Sequence, residues 1–328
     1  MFNQNLRKMK NRTIVLSVIL ALLAFTLVQC SSDDVEKEGE TGQVSIKITD
    51  SPSDDANISG TFITVSDVKV DGKSVEGFAK QSFEISALQN GNTRTLFAGH
   101  LKADNYSKIS LVLDVEADAA GNSPGCYVLD TSGKKHSLAA SSETTLEIEL
   151  QKDMQVSAAS QNNIVIDFDL RKSVVRQTDT STGSNYKFVA QADMKTALRV
   201  AAENKTGSLK GKVNNTLFTG KKVVVYAYKK GTFNATTELS AVLSGKAMFG
   251  KAVTSASVGQ DGNYHLAFLE EGDYEIYLAS FGADTNGKMQ FHGLLTATSL
   301  TAETVLNNIA LSANATVTVN INVTGILL

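Results

Sequence analysis

The most constraining feature of the chain is an alternation of apolar and polar side chains with a period of two residues. The clearest run has an apolar residue at every second position: Val317, Val319, Ile321 and Val323. An earlier run has the same pattern: Val44, Ile46 and Ile48. Successive side chains of a strand point to opposite faces, so each run predicts a strand with one face on a core and the other in water. The pattern predicts an all-β protein.

The length and composition predict more than one domain. With 328 residues, 42% of them hydrophobic, the chain exceeds a typical domain and can bury sizeable cores. The small, polar and unpatterned segment 201–207 is the best candidate linker. We therefore predict two tandem antiparallel β-sandwiches of Greek-key type, at 42–200 and 208–328.

Details within the first sandwich are also predicted. Asp71-Gly72 follows a β-rich run and is typical of a hairpin turn. The segment 96–101 is expected to be short and irregular or helical.

The N-terminus has the features of an export signal. Four basic residues, Arg7, Lys8, Lys10 and Arg12, precede an uncharged apolar run at 13–28. That run is 16 residues long, and a spanning helix needs about 20. We predict a cleaved signal peptide at 1–29, with an uncleaved membrane anchor as the alternative.

The residues around Cys30 indicate a lipid anchor. Leu27-Val28-Gln29-Cys30 resembles a lipobox, which implies that Cys30 is acylated and becomes the first mature residue. A free Cys30 is the alternative. Several acyl chains anchor a protein firmly, since each buried methylene contributes about 0.8 kcal/mol.

A polar, acidic stretch follows the predicted lipidation site. Residues 30–41 have no apolar period and are predicted to be a flexible tether. Their Ser-Ser-Asp-Asp start resembles the signal that sends Bacteroidota lipoproteins to the outer face of the outer membrane, although a plain solvated linker would look similar. Loss of 1–29 removes four basic and no acidic side chains, so the net charge falls from −3 to −7. The sequence therefore predicts a cell-surface protein and no nucleic-acid partner.

No catalytic motif is visible. The four histidines lack the spacing of a metal site, and no nucleophile elbow, phosphate loop or dinucleotide fingerprint occurs. Asp167 and Asp169 lie on one strand face and are expected to be solvated, with Arg171 as a candidate partner; an acid/base pair is the alternative. Cys126 is expected to be a small buried residue. We predict no enzyme activity.

Two small sets of residues are candidate binding sites. Asp50, Asp54 and Asp55 surround Pro52 and offer oxygen ligands to calcium, whereas an Asp-rich turn capping its own backbone is the simpler interpretation. No other cofactor is predicted. Tyr226 and Tyr228 share one strand face and form the best pair for stacking on a sugar; packing in the core is the alternative.

Separated motifs in residues 42–200 carry a family resemblance. They are Val44 to Pro52, Phe83 to Gly91, Tyr106 to Leu113 and Ile166 to Ser173. In this order they resemble the Bacteroidota family called domain of unknown function 4382. That family implies a fold and no reaction.

The C-terminal part resembles a different group. Its motifs are Gly207 to Val213, Gln260 to Tyr264 and Leu269 to Tyr274. They look like the carboxypeptidase-regulatory or transthyretin-like sandwich, which is grouped with carbohydrate-binding-like folds.

Anchor, tether and tandem sandwiches together predict a non-catalytic binding or adhesion module on the membrane. Its ligand is expected to be extracellular or in the envelope, with a glycan as the candidate. A structural accessory of the envelope that partners another protein is the alternative.

Overall fold

The computed structural model describes residues 40–55, 57–139, 143–177, 184–240, 247–283, 289–301 and 304–327. Cys30, the predicted signal peptide and most of the predicted tether lie outside these residues. Among the helices in this part of the chain, none has the length and apolar character needed to cross a membrane.

The N-terminal sandwich (residues 41–202) contains most of its strands in two sheets. Its strands are β1 (Thr41–Ser51), β2 (Ile58–Val70), β3 (Lys73–Ser74), β4 (Gln81–Glu84), β5 (Arg94–Lys102), β6 (Asp104–Asp114), β7 (Tyr127–Asp130), β8 (Lys135–Ser137), β9 (Thr145–Val156), β10 (Gln161–Asp169), β11 (Val174–Arg176), β12 (Tyr186–Phe188) and β13 (Leu198–Ala202). Two short helices, α1 (Leu170–Ser173) and α2 (Gln191–Ala197), follow β10 and β12.

One sheet has the order β13-β10-β1-β5 and the other β8-β7-β2-β6-β9, with β3 and β4 paired to β2. Strands β11 and β12 form a separate pair. The apolar residues of the β1 alternation, Val44, Ile46 and Ile48, are fully buried in the core between the sheets. Pairing of β1 with β10 is parallel, which departs from the predicted purely antiparallel sheets. That pairing brings the C-terminal ends of both strands, Ser51 and Asp169, to the same place.

The C-terminal sandwich (residues 206–327) is built from one continuous sheet. Its strands are β14 (Thr206–Asn214), β15 (Lys222–Lys229), β16 (Thr254–Ser257), β17 (Asn263–Glu270), β18 (Gly272–Ala283), β19 (Met289–Ser299), β20 (Ile309–Leu311), β21 (Thr316–Thr318) and β22 (Ile321–Leu327). Their order is β16-β15-β18-β19-β22-β14-β17, with β20 on β18 and β21 on β14.

Two apolar clusters lie in this part of the molecule. The main core includes Leu209, Val225 and Ile321. A second, aromatic cluster contains Tyr226, Tyr228 and Phe249, and is partly formed by the segment that carries helix α3 (Ala235–Ser240). Strand β15 contributes alternate residues to both clusters, so both of its faces are covered.

The predicted all-β fold is confirmed. Besides the parallel pairing of β1 with β10, three details differ. Residues 96–101 are part of strand β5 and pair with β1 across a β-bulge at Ile46/Lys47. The predicted linker 201–207 holds the end of β13, a 3-10 turn at Glu203–Lys205 and the start of β14. The C-terminal alternation is divided between β21 and β22. The turn predicted at Asp71-Gly72 is present, with φ of 47° and 79°.

Candidate functional site

The ends of β1 and β10 meet the C-terminal sandwich and form a buried polar junction. The Ser51 hydroxyl lies 2.8 Å from the Thr254 hydroxyl of β16 and donates to Asp167 Oδ1 at 3.0 Å. On the other side, Lys222 Nζ donates to the backbone carbonyl of Ser53 at 2.9 Å. The parallel pairing of β1 with β10 places these groups side by side, because both strands end at this edge.

Arg171 is the central side chain of the junction. It lies in α1, where Asp169 caps the helix by accepting the Arg171 backbone N–H at 3.1 Å. Its guanidinium donates to both oxygens of Asp169, at 3.1 and 2.6 Å, and to the carbonyl of Phe249 at 3.3 Å. It also lies over the Tyr226 ring, 5.2 Å from the centroid. One arginine therefore contacts both sandwiches.

The charges of this ion pair are retained in spite of burial. The Arg171 side chain is 0% exposed and that of Asp169 is 6% exposed. Burial raises the pKa of the Asp169 carboxyl, but Arg171 and Lys172 outweigh it and the net shift is downward. Burial likewise lowers the pKa of Arg171, and Asp169 reverses that effect. Loss of Arg171 would leave buried Asp169 with Lys172, at 3.2 Å, as its remaining ion-pair partner, and such a weakened buried pair is destabilising.

Further cations of the N-terminal sandwich also donate to the C-terminal one. Lys172 Nζ donates to the carbonyl of Ala252 at 3.1 Å, and Lys152 Nζ to Glu270 Oε1 at 2.8 Å. Arg199 donates to the carbonyl of Phe268 and, at 2.7 Å, to Asp167 Oδ2. Most of the acceptors are backbone carbonyls: that of Phe268 belongs to strand β17, and those of Phe249 and Ala252 to the segment before β16. These hydrogen bonds tie the two sandwiches together at several points.

Two of these carbonyls belong to residues with unusual backbone conformations. Phe249 and Phe268 have φ of 53° and 54°, in the left-handed region that residues other than glycine and asparagine rarely adopt. Their carbonyls accept from Arg171 and Arg199 respectively. Such conformations cost about 1–3 kcal/mol and persist where surrounding contacts over-determine them. The arginine contacts supply that support.

Asp50 is a buried carboxyl, and neither of its oxygens has a hydrogen-bond partner among the residues that the structure describes. It is 5% exposed. Burial, followed by repulsion from Asp167 and Asp169, raises its pKa well above the ordinary value; a nearby backbone N–H at Leu170 and the charge of Arg171 lower it only in part. The pKa shift of Asp50 therefore favours its protonated form.

Asp54 belongs to the same electrostatic cluster. Burial raises its pKa, against the lowering effects of Arg171 and Lys222. Burial in turn lowers the pKa of Lys222, and Asp54 and Asp50 oppose that effect.

The predicted calcium ligands do not assemble into one site. Asp55 accepts from the Tyr186 hydroxyl at 3.2 Å and lies 3.4 Å from Arg176 Nε. Asp50 and Asp54 instead contribute to the junction. In the part of the chain that the structure describes, no three His, Cys, Asp or Glu side chains are arranged to hold a metal ion.

The predicted stacking pair is buried. Tyr226 and Tyr228 are both 0% exposed. Tyr226 stacks on Phe249 at 4.1 Å, and the Tyr228 hydroxyl donates to Glu238 Oε2 at 2.8 Å. The alternative interpretation, packing in the core, describes these rings, and they offer no face to a ligand in solution.

Asp167 and Asp169 are also buried, contrary to the expected solvated face. They are 5% and 4% exposed. Asp169 pairs with Arg171, as expected, and Asp167 pairs with Arg199. Both carboxylates are engaged by arginines, an arrangement that suits a structural ion-pair network better than proton transfer. The roles of Arg199 and Lys152 carried no signal in the sequence.

Comparison with solved structures yields distant similarities only. A major pilin subunit of Bacillus cereus is 11% identical, with a TM-score of 0.20, and 87% of this chain and 71% of that chain are covered. A protein of Bacteroides fragilis described as a putative cell adhesion protein is 11% identical, with a TM-score of 0.18, and 85% of this chain and 92% of that chain are covered.

The TIE protein of Bacillus anthracis is 10% identical, with a TM-score of 0.19, and 87% of this chain is covered. The match spans about a third of that protein, 34% of its length. Identities and TM-scores this low imply no shared function.

A search of the curated proteins found no match. A match does exist at the level of family models, and it covers the predicted N-terminal domain almost entirely. Residues 41–191, which include β1, β10 and Arg171, match the family described as Domain of unknown function (DUF4382).

Proposed function

We propose that this protein is a lipid-anchored, non-catalytic binding module on the outer face of the outer membrane, with a glycan as its ligand. The single observation that carries the proposal is the buried junction, in which cations of one sandwich bind backbone carbonyls of the other. An arrangement of this kind holds two domains in a fixed relative position and transmits force between them, and it involves no catalytic step. The predicted acyl group on Cys30 and the acidic tether would attach this rigid unit to the membrane.

The buried polar residues support a structural role for the junction. Asp167 and Asp169 are neutralised by arginines. The thiol of Cys126 is buried, and burial raises its pKa to about 12, so it is a poor nucleophile. These features favour binding over catalysis.

The location is tested by protease treatment of intact cells, with a Cys30→Ala variant as the control. We expect loss of the protein from treated cells and release of the control as a soluble form. Protection from the protease would contradict surface display and favour an accessory of the envelope. Membrane attachment of the Cys30→Ala variant would contradict the lipid anchor.

Binding is tested separately, with beads coated with the Cys30→Ala chain and applied to arrays of glycans and matrix proteins. We expect reproducible adherence to at least one class of surface. Adherence equal to that of uncoated beads on every surface would contradict the binding function.

A further inference from the structure

A second contact between the two sandwiches forms an open polar groove. The imidazole of His265 in β17 lies 2.9 Å from the backbone carbonyl of Asn90, a residue of the turn before β5. That turn contains two left-handed residues, Asn90 and Gly91, with φ of 58° and 81°. A Cβ on Gly91 would lie 2.8 Å from His265 Cε1, so only glycine allows this close approach. The turn thus forms one wall of the groove.

The remaining walls come from β14, β17, the turn between β16 and β17, and the segment joining β21 to β22. The groove has a volume of about 470 Å³, within the range of small-molecule clefts. Its side chains are nearly all polar, and the polar ones are Asn90, Lys210, Lys212, Asp261, Asn263, His265, Thr318 and Asn320. Tyr264 is also present, but it is 3% exposed and its hydroxyl donates to the carbonyl of Val319.

The groove has more donors than acceptors. Lys210 and Lys212 are exposed neighbours on one face of β14, and neither ammonium has a hydrogen bond or ion pair with any described residue. Asn320 uses its Oδ1 to accept the Lys212 backbone N–H at 3.0 Å, which leaves its NH₂ without a protein acceptor among those residues. The local charge from the two lysines and Asp261 is +1.

Asp261 is the one carboxylate among the described residues of the groove, and both of its oxygens already accept hydrogen bonds. Asp261 accepts the backbone N–H of Asn263 at 3.0 Å and its side-chain N–H at 2.5 Å. These hydrogen bonds lower the pKa of Asp261 despite partial desolvation, and the charge of Lys212 adds to the effect. Asp261 therefore stays ionised and shapes the turn, while the two ammoniums remain available to a ligand.

From this placement we infer that the groove binds a carboxylate-bearing saccharide, with the carboxylate at Lys210 and Lys212 and the hydroxyls at the side chains of Asn90, Asn320 and His265. Because the Asn90 carbonyl can only accept, Nδ1 of His265 carries the hydrogen and Nε2 is an acceptor in the neutral ring. Amides and imidazole both suit sugar hydroxyls, which donate and accept. The inference rests on the proposed function, since it names the ligand class and the site.

The protein's charge and the groove's walls narrow the ligand further. The net charge is −3 for the whole chain, so an anionic ligand is attracted where cations cluster, as Lys210 and Lys212 do in the groove. Among the described residues of the groove the one aromatic ring, that of Tyr264, is buried, so recognition relies on charge and hydrogen bonds. A uronic acid unit, with one carboxylate and several hydroxyls, supplies both.

The test is isothermal titration calorimetry on the Cys30→Ala chain with hexasaccharides of polygalacturonate and of hyaluronate, and with maltohexaose as the neutral probe. We expect binding of at least one acidic hexasaccharide, weakened by added salt, and no binding of maltohexaose. Replacing both Lys210 and Lys212 with Ala should weaken binding about tenfold or more, because charge-assisted hydrogen bonds are lost.

The matched control replaces Lys73 and Lys134, two exposed lysines of the N-terminal sandwich, with Ala. It changes the net charge equally and should leave the affinity unchanged. Equal weakening in both double variants would overturn the site, since it would mean non-specific attraction. Adherence of coated beads without binding of either acidic hexasaccharide would overturn this inference and leave the proposed function standing. Absence of both bead adherence and hexasaccharide binding would contradict this inference and the proposed function together.

Discussion

Asp50→Asn is expected to stabilise the protein at neutral pH, and the gain should depend on pH. Among the described residues Asp50 has no hydrogen-bond partner, and it faces Asp167 and Asp169 on β10, Arg171 on α1 and Lys222 on β15. Asp54, in the loop after β1, interacts with the same Arg171 and Lys222. The pKa of Asp50 is raised in the folded state above the ordinary 3.8. Asn is neutral at every pH, so the substitution removes the titration and keeps the shape.

The sign follows from proton binding. Below pH 3.8 the carboxyl is protonated in both states and contributes no pH dependence. Above it, the unfolded chain releases the proton and the folded protein keeps it, so the wild type loses stability as pH rises towards the folded pKa. The difference between variant and wild type should therefore grow by about 1.4 kcal/mol per pH unit. It should level off where the folded carboxyl ionises.

The assay is urea unfolding of both proteins in the Cys30→Ala background from pH 4 to pH 8. The quantity compared is the difference between the free energies of unfolding of variant and wild type at each pH, because the other titrating groups are common to both proteins. Asp153→Asn, at an exposed position, is the control and should give a difference that does not vary with pH. A difference for Asp50→Asn that stays flat from pH 4 to pH 8 would refute the argument, as it would mean that the carboxyl titrates alike in both states.

Three further perturbations test the packing. Arg171→Met should lower the free energy of unfolding by up to about 3–5 kcal/mol, since buried Asp169 keeps only Lys172, at 3.2 Å, as an ion-pair partner. A smaller loss in the Arg171→Met/Asp169→Asn double variant on urea unfolding would confirm the cause. Tyr228→Phe should cost about 1–3 kcal/mol by thermal or urea unfolding, because buried Glu238 loses a donor; an unchanged midpoint would contradict that hydrogen bond. Cys126 should resist a thiol reagent at pH 8 until urea unfolds the protein, and rapid labelling of the native state would show that it is accessible.

The strands were largely predictable because alternation is a local property. Val44, Ile46 and Ile48 are buried as the pattern predicts. The segment 96–101 was not predictable in this way, since Leu96 and Phe97 are adjacent and both buried. Its pairing with β1 crosses a β-bulge, which interrupts the two-residue period.

The candidate sites were only partly predictable. The sequence singled out Asp50 and Asp54 as calcium candidates and Tyr226 as a stacking candidate, and the structure places all three at the junction. The sequence did not predict this placement, because Arg171, the side chain near all three, is far from each of them in sequence.

The sequence by itself determined most of the strands and which of their faces is apolar, since both depend on the spacing of neighbours along the chain. Only the tertiary structure decided what covers the polar faces. Asp167 and Asp169 look solvated in the sequence, and the approach of the C-terminal sandwich buries them beside Arg199 and Arg171. Burial of this polar face depends on residues of the C-terminal sandwich more than fifty positions away along the chain, and a local sequence pattern contains no information about them.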